Sequence, residues 1–393
     1  MTRTRMSRQS GTYRRCNVAG EGYRAYLPTP LPPTPGLAID TPLQERLDRA
    51  NRAIGRLDGI SAVLPDTTLF LYFYVRKEAL LSSQIEGTQS SLSDLLLFEG
   101  EQTPVAGLDD VREVSNYVAA MDHGLRRMRQ DNFPLSLRLI REMHAILLRE
   151  GRGAAKDPGE FRRSQNWIGG SRPGNARFVP PPPEAVMDCL GSLEKFLHDD
   201  PQPTPLLIKA ALAHVQFETI HPFLDGNGRM GRLLITLLLC GEGALKEPLL
   251  YLSLYFKAHR DAYYDWLQRV RETGDWEGWL GFFLTGVEET AETATETARR
   301  ILGLFAADRS RIADGSKSGA TDLRLHEQMQ KRPVFTVAQA MRALAMTAPT
   351  VAASIARMER LGIVKETTGR KRDRVYSYAP YLAILSEGAE PIG

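Results

Sequence analysis

The segment IHPFLDGNGRMGRLLITLLLC, residues 220–240, constrains this chain most, because it joins an amphipathic helix that ends at Thr219 to a strongly apolar helix through a tight turn. Gly226, Asn227 and Gly228 all tolerate positive φ, so the turn can point its backbone N–H groups inward. The turn also lies at the start of the second helix, whose free N–H groups and dipole favour an anion. The segment therefore predicts a helical fold with an anion site at a helix N-terminus.

Charged side chains surround this turn. Arg229 and Arg232 are three residues apart and share a helix face, although a cation at a helix start opposes the dipole. Two arginines suit this place if a di- or triphosphate lies between them and the turn. Asp225 indicates Mg²⁺, which proteins hold through one or two carboxylates plus phosphate oxygens. His221 supplies a base that titrates near neutral pH.

Each of these residues, taken alone, has an ordinary explanation as a capped turn, a packed histidine or a solvated arginine. Together they resemble the Fic family signature HxFx[DE]GNGRxxR, and all eight specified positions match. At roughly one in twenty per position, a chance match in this chain has a probability on the order of 10⁻⁸. The catalytic part of the resemblance covers about residues 40–305.

The resemblance implies a protein adenylyltransferase, which moves AMP from ATP to a Tyr, Ser or Thr hydroxyl of a target protein or of the enzyme itself. In that reading His221 takes the hydroxyl proton, and the oxygen attacks the α-phosphate while pyrophosphate leaves. Asp225 is the implied Mg²⁺ ligand. The implied ligands of the ATP phosphates are Gly226, Asn227, Gly228, Arg229 and Arg232.

A carboxylate occupies an unfavourable place further upstream. Gly87 is a natural residue after a helix end, so Glu86 lies in a last turn, where it faces the negative end of the dipole. A tolerated surface glutamate is the ordinary explanation. Ser82, Glu86 and Gly87 also match the Fic inhibitory motif [ST]xxxE[GN], which implies that Glu86 pairs with Arg232, displaces the γ-phosphate and holds activity low.

Two further regions are candidates for contact with the target protein and with the nucleoside. Short β-prone pieces around a Gly/Pro/Asn turn predict a hairpin within residues 160–183, and residues 168–181 resemble the family's flap, which pairs with the target backbone. Its candidate contacts are Arg177, Phe178 and Val179. Tyr263 and Tyr264 lie where related proteins contact the nucleoside, and an ordinary core or surface role is equally compatible with them.

Helical spacing of apolar residues dominates the chain, and the resemblance implies a mainly α fold, a Fic-type helical bundle with a β-hairpin flap, plus a small winged-helix domain. Residues 1–40 are rich in Pro and Arg and are interpreted as an arm, either loose or laid over the body. The predicted regions are 1–40 arm, 41–120 helical region with the inhibitory helix, 121–305 catalytic core, 306–320 polar linker and 321–393 winged helix.

The C-terminal unit resembles a winged helix, with two helices across a short turn followed by a basic wing at residues 365–378. The wing arginines Arg370, Arg372 and Arg374, with Lys371, can contact phosphate. Ala348 and its small neighbours at the start of the second helix read bases poorly. We therefore expect docking or weak DNA contact rather than sequence-specific DNA binding.

The bulk composition sets limits on the cellular setting. A net charge of +3 does not predict a nucleic-acid partner, and three widely spaced cysteines without a CxxC pair predict neither a zinc ribbon nor a redox motif. The basic N-terminus has no apolar run after it, and no apolar stretch is long enough to span a bilayer. We expect a cytoplasmic protein with no membrane contact, and apolar helix faces are compatible with a homodimer.

Two other functions remain open at the level of sequence. One is removal of AMP from a target, or transfer of another nucleotide or phosphate-linked group. The other is a DNA-binding regulator in which the nucleotide site serves only as a sensor. Transfer of label from α-labelled ATP to protein distinguishes the adenylyltransferase from both alternatives. DNA binding that persists when His221 is replaced by alanine indicates the regulator.

Overall fold

The computed structural model describes residues 8–18, 20–63, 67–92, 94–96, 108–315, 319–370 and 373–390. The fold is mainly α-helical, as predicted, and its described residues form two small sheets. In chain order the elements are β1 Gly11–Val18, β2 Glu21–Pro28, α1 Thr41–Val63, α2 Thr67–Ile85, α3 Leu108–Gln130, α4 Leu137–Leu147, α5 Val186–Leu197, α6 Leu206–Ile220, α7 Asn227–Gly241, α8 Ser253–Ala258, α9 Arg260–Thr273, α10 Trp276–Gly315, α11 Gly319–Lys331, β3 Val334–Thr336, α12 Val337–Leu344, α13 Ala348–Arg360, β4 Val364–Glu366, β5 Val375–Tyr378 and α14 Ala379–Ser386.

Helix α6 forms the centre of the bundle, because its sequence LLIKAALAHVQFETI is apolar on nearly every side. Every residue from Leu207 to Ile220 is buried, and the one lysine among them, Lys209, forms ion pairs with Asp199 and Glu242. Helix α7 packs against α6 and is equally apolar after its first turn. The loop between these two helices is therefore fixed at both ends by buried structure.

Helix α1 packs along the long helix α10 through its predicted apolar stripe, in which Ala50, Ile54 and Leu57 are buried. Most of the predicted polar linker at 306–320 is helical, because α10 continues to Gly315 and α11 begins at Gly319. Ile312 and Asp308 are buried there, and Asp308 accepts a hydrogen bond from a tyrosine of the C-terminal unit at 2.7 Å. Residues 316–318 lie outside the described part, as do residues 97–107.

The N-terminal arm contains a β-hairpin, which the sequence interpretation missed. Strands β1 and β2 pair antiparallel over their whole length, and the turn between them uses Gly20 at φ 84°. One face of the hairpin places Tyr23 and Ala25 against Val179, and the Tyr26 N–H donates to the Val179 carbonyl at 2.9 Å. The arm is thus laid over the body, beside the predicted flap.

The predicted flap hairpin has little regular pairing. A single antiparallel bridge joins Ile168 to Phe178 through N–H···O bonds of 2.9 and 3.1 Å, and a short 3₁₀ turn at Pro173–Asn175 closes the loop. The prolines at residues 180–183 remove the donors that a longer ladder needs.

The C-terminal unit, interpreted above as a winged helix, has the order helix, strand, helix, helix, strand, strand, with its antiparallel sheet in the order β3–β5–β4. Lys371 and Arg372 of the predicted basic wing lie outside the described residues. The unit is anchored to α2: the Tyr381 ring packs edge-on against Phe73 at 5.4 Å, and the Gln84 side chain donates to the Ala389 carbonyl at 3.0 Å.

Candidate active site

The loop between α6 and α7 depends on two residues with positive φ. His221 ends α6 at φ 48°, and Gly226 precedes α7 at φ 75°. A side chain at positive φ is strained, so the surrounding structure must hold His221 in place. The loop thus presents His221 at one end and the first N–H groups of α7 at the other.

Asn227 stabilises this loop with its side chain. Its Oδ1 accepts from the Phe223 N–H at 2.8 Å, and its Nδ2 donates to the Phe223 carbonyl at 2.8 Å. One of the two Nδ2 N–H donors of Asn227 is thus used within the loop, and the predicted role of Asn227 as an anion ligand stays a prediction. The N–H groups at the start of α7 have no intrahelical acceptor and remain suited to an anion.

His144, on α4, supports the loop from below and was not identified from the sequence. Its ring stacks on Phe223 with centroids 3.6 Å apart. The Gly159 N–H donates to Nδ1 at 2.9 Å, so Nε2 carries the proton and donates to the Asp225 carbonyl at 3.0 Å. Burial lowers the pKa of His144 to about 4, which keeps the ring neutral. A histidine among the buried residues of a strongly amphipathic helix was the only signal in the sequence.

Replacing His144 with phenylalanine is expected to lower the free energy of unfolding by about 2–4 kcal/mol, because it keeps the stacking but leaves two buried backbone groups without partners. Urea unfolding followed by circular dichroism measures the change. His198→Phe, at an exposed position, serves as the control. Equal stability of the His144 variant and the wild type would show that the loop does not depend on these bonds.

Arg162 and Asn166 hold the carbonyl groups of the same loop and were also missed. The Arg162 side chain donates to the His221 carbonyl at 2.9 Å and to the Pro181 carbonyl at 2.5 Å. Asn166 donates to the Phe223 carbonyl at 2.9 Å. Because both residues come from the segment before the flap, the flap and the loop are fixed to one another.

A cavity of about 500 Å³ opens between this loop, the flap and helix α9. It brings together candidates from four distant parts of the sequence. Its lining includes Glu86, Arg177, Phe178, His221, Gly228, Arg232, Tyr263 and Tyr264, along with Glu218 and Arg271, which the sequence did not single out.

His221 reaches this cavity as a neutral base. Burial, with help from the nearby cations Arg271 and Arg162, lowers the pKa of His221 to about 3. Its Nδ1 is buried and has no hydrogen-bond partner among the described residues, and the Glu218 carboxylate lies 4.0 Å away. An imidazole that stays unprotonated at neutral pH can accept a proton from a substrate hydroxyl.

Arg232 is held by the residues of the predicted inhibitory motif. Its Nε donates to Ser82 Oγ at 2.8 Å, and its Nη2 donates to the Ser82 carbonyl at 2.9 Å and to Glu86 Oε1 at 2.7 Å. The Arg232 side chain is only 2% exposed. Burial opposes ionisation of Glu86, but the guanidinium prevails and the pKa of Glu86 lies below its usual value. The pair is therefore charged at neutral pH.

The Glu86 carboxylate also lies over the start of α7. A Cβ placed on Gly228 would come 2.2 Å from Glu86 Oε1 and 3.1 Å from Arg232 Nη1, so a side chain at this position would displace the Glu86 carboxylate. Gly87 ends α2 at φ 104° and lets the chain turn away directly after Glu86. Glu86 thus occupies the place where the helix N-terminus and Arg232 both attract an anion.

Arg229 differs from Arg232 in its surroundings. It is buried, its Nη1 donates to Glu113 Oε2 at 3.1 Å, and its Nη2 lies 3.4 Å from Asp225 Oδ1. Glu113, on α3, is 1% exposed and also pairs with Arg152. The structure places Arg229 behind the loop rather than in the cavity lining, so its predicted contact with phosphate stays a prediction.

Asp225 is suited to hold Mg²⁺ together with phosphate. Its Oδ1 accepts from the Gly226 N–H at 2.5 Å, Oδ2 has no partner among the described residues, and the side chain is 35% exposed. The described residues contain no cluster of three or more His, Cys, Asp or Glu side chains that could form a complete metal cage. A carboxylate with one oxygen still available fits a cation whose other ligands are phosphate oxygens and water.

The two tyrosines of α9 have different surroundings. Tyr263 is 1% exposed and donates its O–H to His214 Nε2 at 2.9 Å, while His214 Nδ1 donates to the Gly231 carbonyl at 3.0 Å. Tyr263 is therefore largely a core residue that shows one edge to the cavity. Tyr264 is half-buried beside it and is the better placed of the two to contact a base.

The three candidate residues of the flap also differ in their surroundings. Arg177 is exposed and pairs with Asp265 at 2.7 Å, and Phe178 lines the cavity beneath the Arg271 guanidinium at 4.0 Å. Val179 is buried against the N-terminal hairpin, so its side chain does not line the cavity. The sequence could not show this, because the hairpin that covers Val179 was not recognised.

Five buried titratable groups predict the pH dependence of stability. Burial lowers the pKa of His221 and His214 to about 3 and of His144 to about 4. Below pH 6.5 the unfolded chain therefore binds more protons than the folded chain, and the free energy of unfolding decreases as the pH is lowered. Burial raises the pKa of Glu78 and Glu218 to about 7, which has the opposite effect between pH 7 and 4.5. We expect a shallow decline above pH 4.5 and, below it, a loss of about 3–4 kcal/mol per pH unit. Urea unfolding at pH 7, 5.5 and 4 tests this, and a gain in stability at pH 4 contradicts it.

Known proteins share this fold and site. Residues 44–126 match the Fic/DOC family N-terminal region, and residues 134–239 match the Fic/DOC family domain. The structure superposes on a Fic family protein from Desulfovibrio desulfuricans G20 with a TM-score of 0.57 at 18% identity, covering 87% of this chain and 97% of that one. This likeness concerns the fold. The helical bundle and the α6–α7 loop define the class, and the chain belongs to the Fic/DOC family.

Two curated relatives carry the name protein adenylyltransferase Fic. The Aedes aegypti protein is 32% identical over 257 residues, which span 63% of this chain and 47% of that protein. The Culex quinquefasciatus protein is 29% identical over 257 residues, or 65% of this chain and 48% of that protein. The chain thus matches about half the length of these relatives. No helix within the described ranges combines the length and apolar character needed to cross a membrane.

Proposed function

We propose that this chain is a protein adenylyltransferase that uses ATP and Mg²⁺ and that Glu86 holds in a low-activity state. The observation that carries the proposal is the Glu86–Arg232 ion pair of 2.7 Å, which lies over the start of α7 in the same cavity as neutral His221. The name of the two curated relatives supports the same reaction.

The reaction uses three parts of the site. The N–H groups at the start of α7 and Arg232 hold the β- and γ-phosphates. His221 takes the proton from a target Tyr, Ser or Thr hydroxyl, whose oxygen forms a bond to the α-phosphorus as the bond to the pyrophosphate oxygen breaks. Asp225 would hold Mg²⁺, which when bound neutralises charge on the phosphates. Charge stabilisation by these fixed groups supplies most of the rate enhancement.

Inhibition follows from competition for one position. Glu86 Oε1 and a γ-phosphate oxygen both require Arg232 and the space beside Gly228. ATP therefore binds productively only when the Glu86 side chain swings out. Ser82 keeps Arg232 in place in either state, because its two bonds to the guanidinium do not involve Glu86.

The test uses ATP labelled on the α-phosphate and, in parallel, ATP labelled on the γ-phosphate. With Mg²⁺ present, the Glu86→Gly variant should transfer the α label to itself or to lysate proteins and should not transfer the γ label. Transfer of the γ label would indicate phosphorylation instead. Absence of any transferred label from the Glu86→Gly variant would contradict the proposal.

Asp225→Asn is expected to lower AMP transfer on the order of 10²–10³-fold, because it removes the protein's ligand for the cation that neutralises the phosphates. ATP binding without Mg²⁺, measured by calorimetry, should change little. Asp261→Asn, an exposed carboxylate on α9, is the matched control. Full activity of Asp225→Asn at limiting Mg²⁺ would show that Asp225 is not the ligand of the cation.

A further inference from the structure

The N-terminal hairpin carries an exposed basic and aromatic face. Tyr13 and Arg15 on β1 are the register partners of Tyr26 and Arg24 on β2, and side chains at these alternate, paired positions lie on one side of the hairpin. Tyr13 is 44% exposed, and Arg15 and Arg24 are also exposed. We call Tyr13, Arg15 and Arg24 the hairpin face.

This face continues the wall of the cavity. Tyr13 packs edge-on against Tyr26 with ring centroids 5.2 Å apart, and Tyr26 packs against Phe178 at 5.8 Å. Phe178 in turn lines the cavity that contains His221. The Tyr26 hydroxyl donates to the carbonyl of Arg271, another lining residue, at 3.0 Å. A polypeptide whose side chain enters the cavity therefore has the hairpin face beside it.

No acidic side chain among the described residues neutralises the charge on this face. Neighbouring arginines have acidic partners: Arg14 pairs with Glu184 at 3.3 Å, and Arg172 pairs with Glu21 at 2.7 Å. Arg15 and Arg24 form no ion pair within the described part of the chain, although they face one another across the strands. Like charges in that position destabilise a hairpin. Arg24 instead lies over the Tyr13 ring at 4.6 Å.

Exposed apolar surface adds to the charge. Trp167, beside the flap bridge, is 38% exposed and lines the cavity mouth. Exposed aromatic residues beside unpaired arginines are the composition that protein interfaces favour. The opposite side of the hairpin is buried against Val179 and holds the hairpin in place.

We propose that the hairpin face binds an acidic segment of the protein that receives AMP, and so selects targets with Asp or Glu near the modified hydroxyl. This proposal rests on the proposed function only for the transfer step. An acidic polypeptide is favoured over nucleic acid because the face adjoins the cavity that a target hydroxyl must enter. Two unpaired arginines also make a smaller patch than phosphate backbones usually require.

Binding is tested first without ATP. A fluorescein-labelled peptide of ten glutamates and one tyrosine should bind the full chain, and Arg15→Glu/Arg24→Glu should weaken it at least about tenfold, with the difference shrinking at high salt. Arg342→Glu/Arg360→Glu, two exposed arginines of the C-terminal unit, is the control with the same change in net charge. Arg15→Gln/Arg24→Gln adds no negative charge and should give an intermediate loss of peptide binding. It keeps the test valid if the double Arg→Glu variant misfolds.

Transfer is tested second, in the Glu86→Gly background, with the random copolymers poly(Glu,Tyr) and poly(Lys,Tyr) as acceptors. Preference for poly(Glu,Tyr) that the Arg15/Arg24 reversal removes supports the proposal. Equal peptide binding by wild type and reversal overturns it, as does binding of a single-stranded oligonucleotide that depends on these arginines while the peptide does not bind. If the peptide binds as expected but no acceptor receives AMP, the proposed function fails and the binding surface stands.

Discussion

Replacing Glu86 with glycine should raise AMP transfer on the order of 10²-fold. The carboxylate competes with the γ-phosphate for Arg232, and loss of a charged contact of 2.7 Å with a guanidinium that is 2% exposed removes a competitor worth about 2–3 kcal/mol. Steady-state transfer from α-labelled ATP measures the gain. A rise that appears mainly as a lower KM for ATP would identify the competition as one for binding.

The same variant should be less stable without nucleotide. Among the described residues it leaves the buried Arg232 guanidinium with its two bonds to Ser82 alone, so the free energy of unfolding should fall by about 1–3 kcal/mol. ATP should restore Tm more in this variant than in the wild type. Glu86→Gln separates charge from shape, because it keeps the side chain and removes the ionic pair. Equal activity of Glu86→Gly and the wild type would mean that Glu86 does not inhibit.

His221→Ala should reduce AMP transfer by about 10³-fold or more, even in the Glu86→Gly background. Without the imidazole no described group in the cavity is placed to take the hydroxyl proton except Glu218, whose carboxylate is buried behind His221 with a pKa raised to about 7 by burial. ATP affinity should remain within about threefold, since the phosphate position uses α7 and Arg232.

The pH profile gives a second measure of His221. Because burial lowers its pKa to about 3, the base stays deprotonated through the neutral range, and transfer should not fall between pH 8 and 6 through protonation of this ring. His198→Ala, at an exposed histidine that does not line the cavity, is the matched control. Residual transfer of more than a tenth by His221→Ala would assign the proton transfer to another group.

The loop itself was predictable from the sequence because its chemistry is local. Two glycines around Asn227 fix the turn, and His221 to Arg232 lie within twelve residues. Ser82 and Glu86 are about 150 residues away from Arg232, yet resemblance to a short motif linked them, and the structure brings them together.

The supporting residues could not be predicted in the same way. His144, Arg162 and Glu113 act through single contacts with distant backbone or side-chain groups, and no periodic pattern marks such contacts. The N-terminal hairpin was obscured by the Pro-rich stretch that follows it. The polar composition near residue 310 suggested a linker, whereas two buried side chains on α10 are enough to continue the helix.

A crystal structure of the Glu86→Gly variant with Mg²⁺ and a non-hydrolysable ATP analogue tests the central claim most directly. We expect the terminal phosphates at the start of α7, with the γ-phosphate on Arg232 in the place of the Glu86 carboxylate, Mg²⁺ on Asp225, and the α-phosphate beside His221. Phosphates bound elsewhere, or a γ-phosphate that makes no contact with Arg232, would contradict both the proposed reaction and its inhibition.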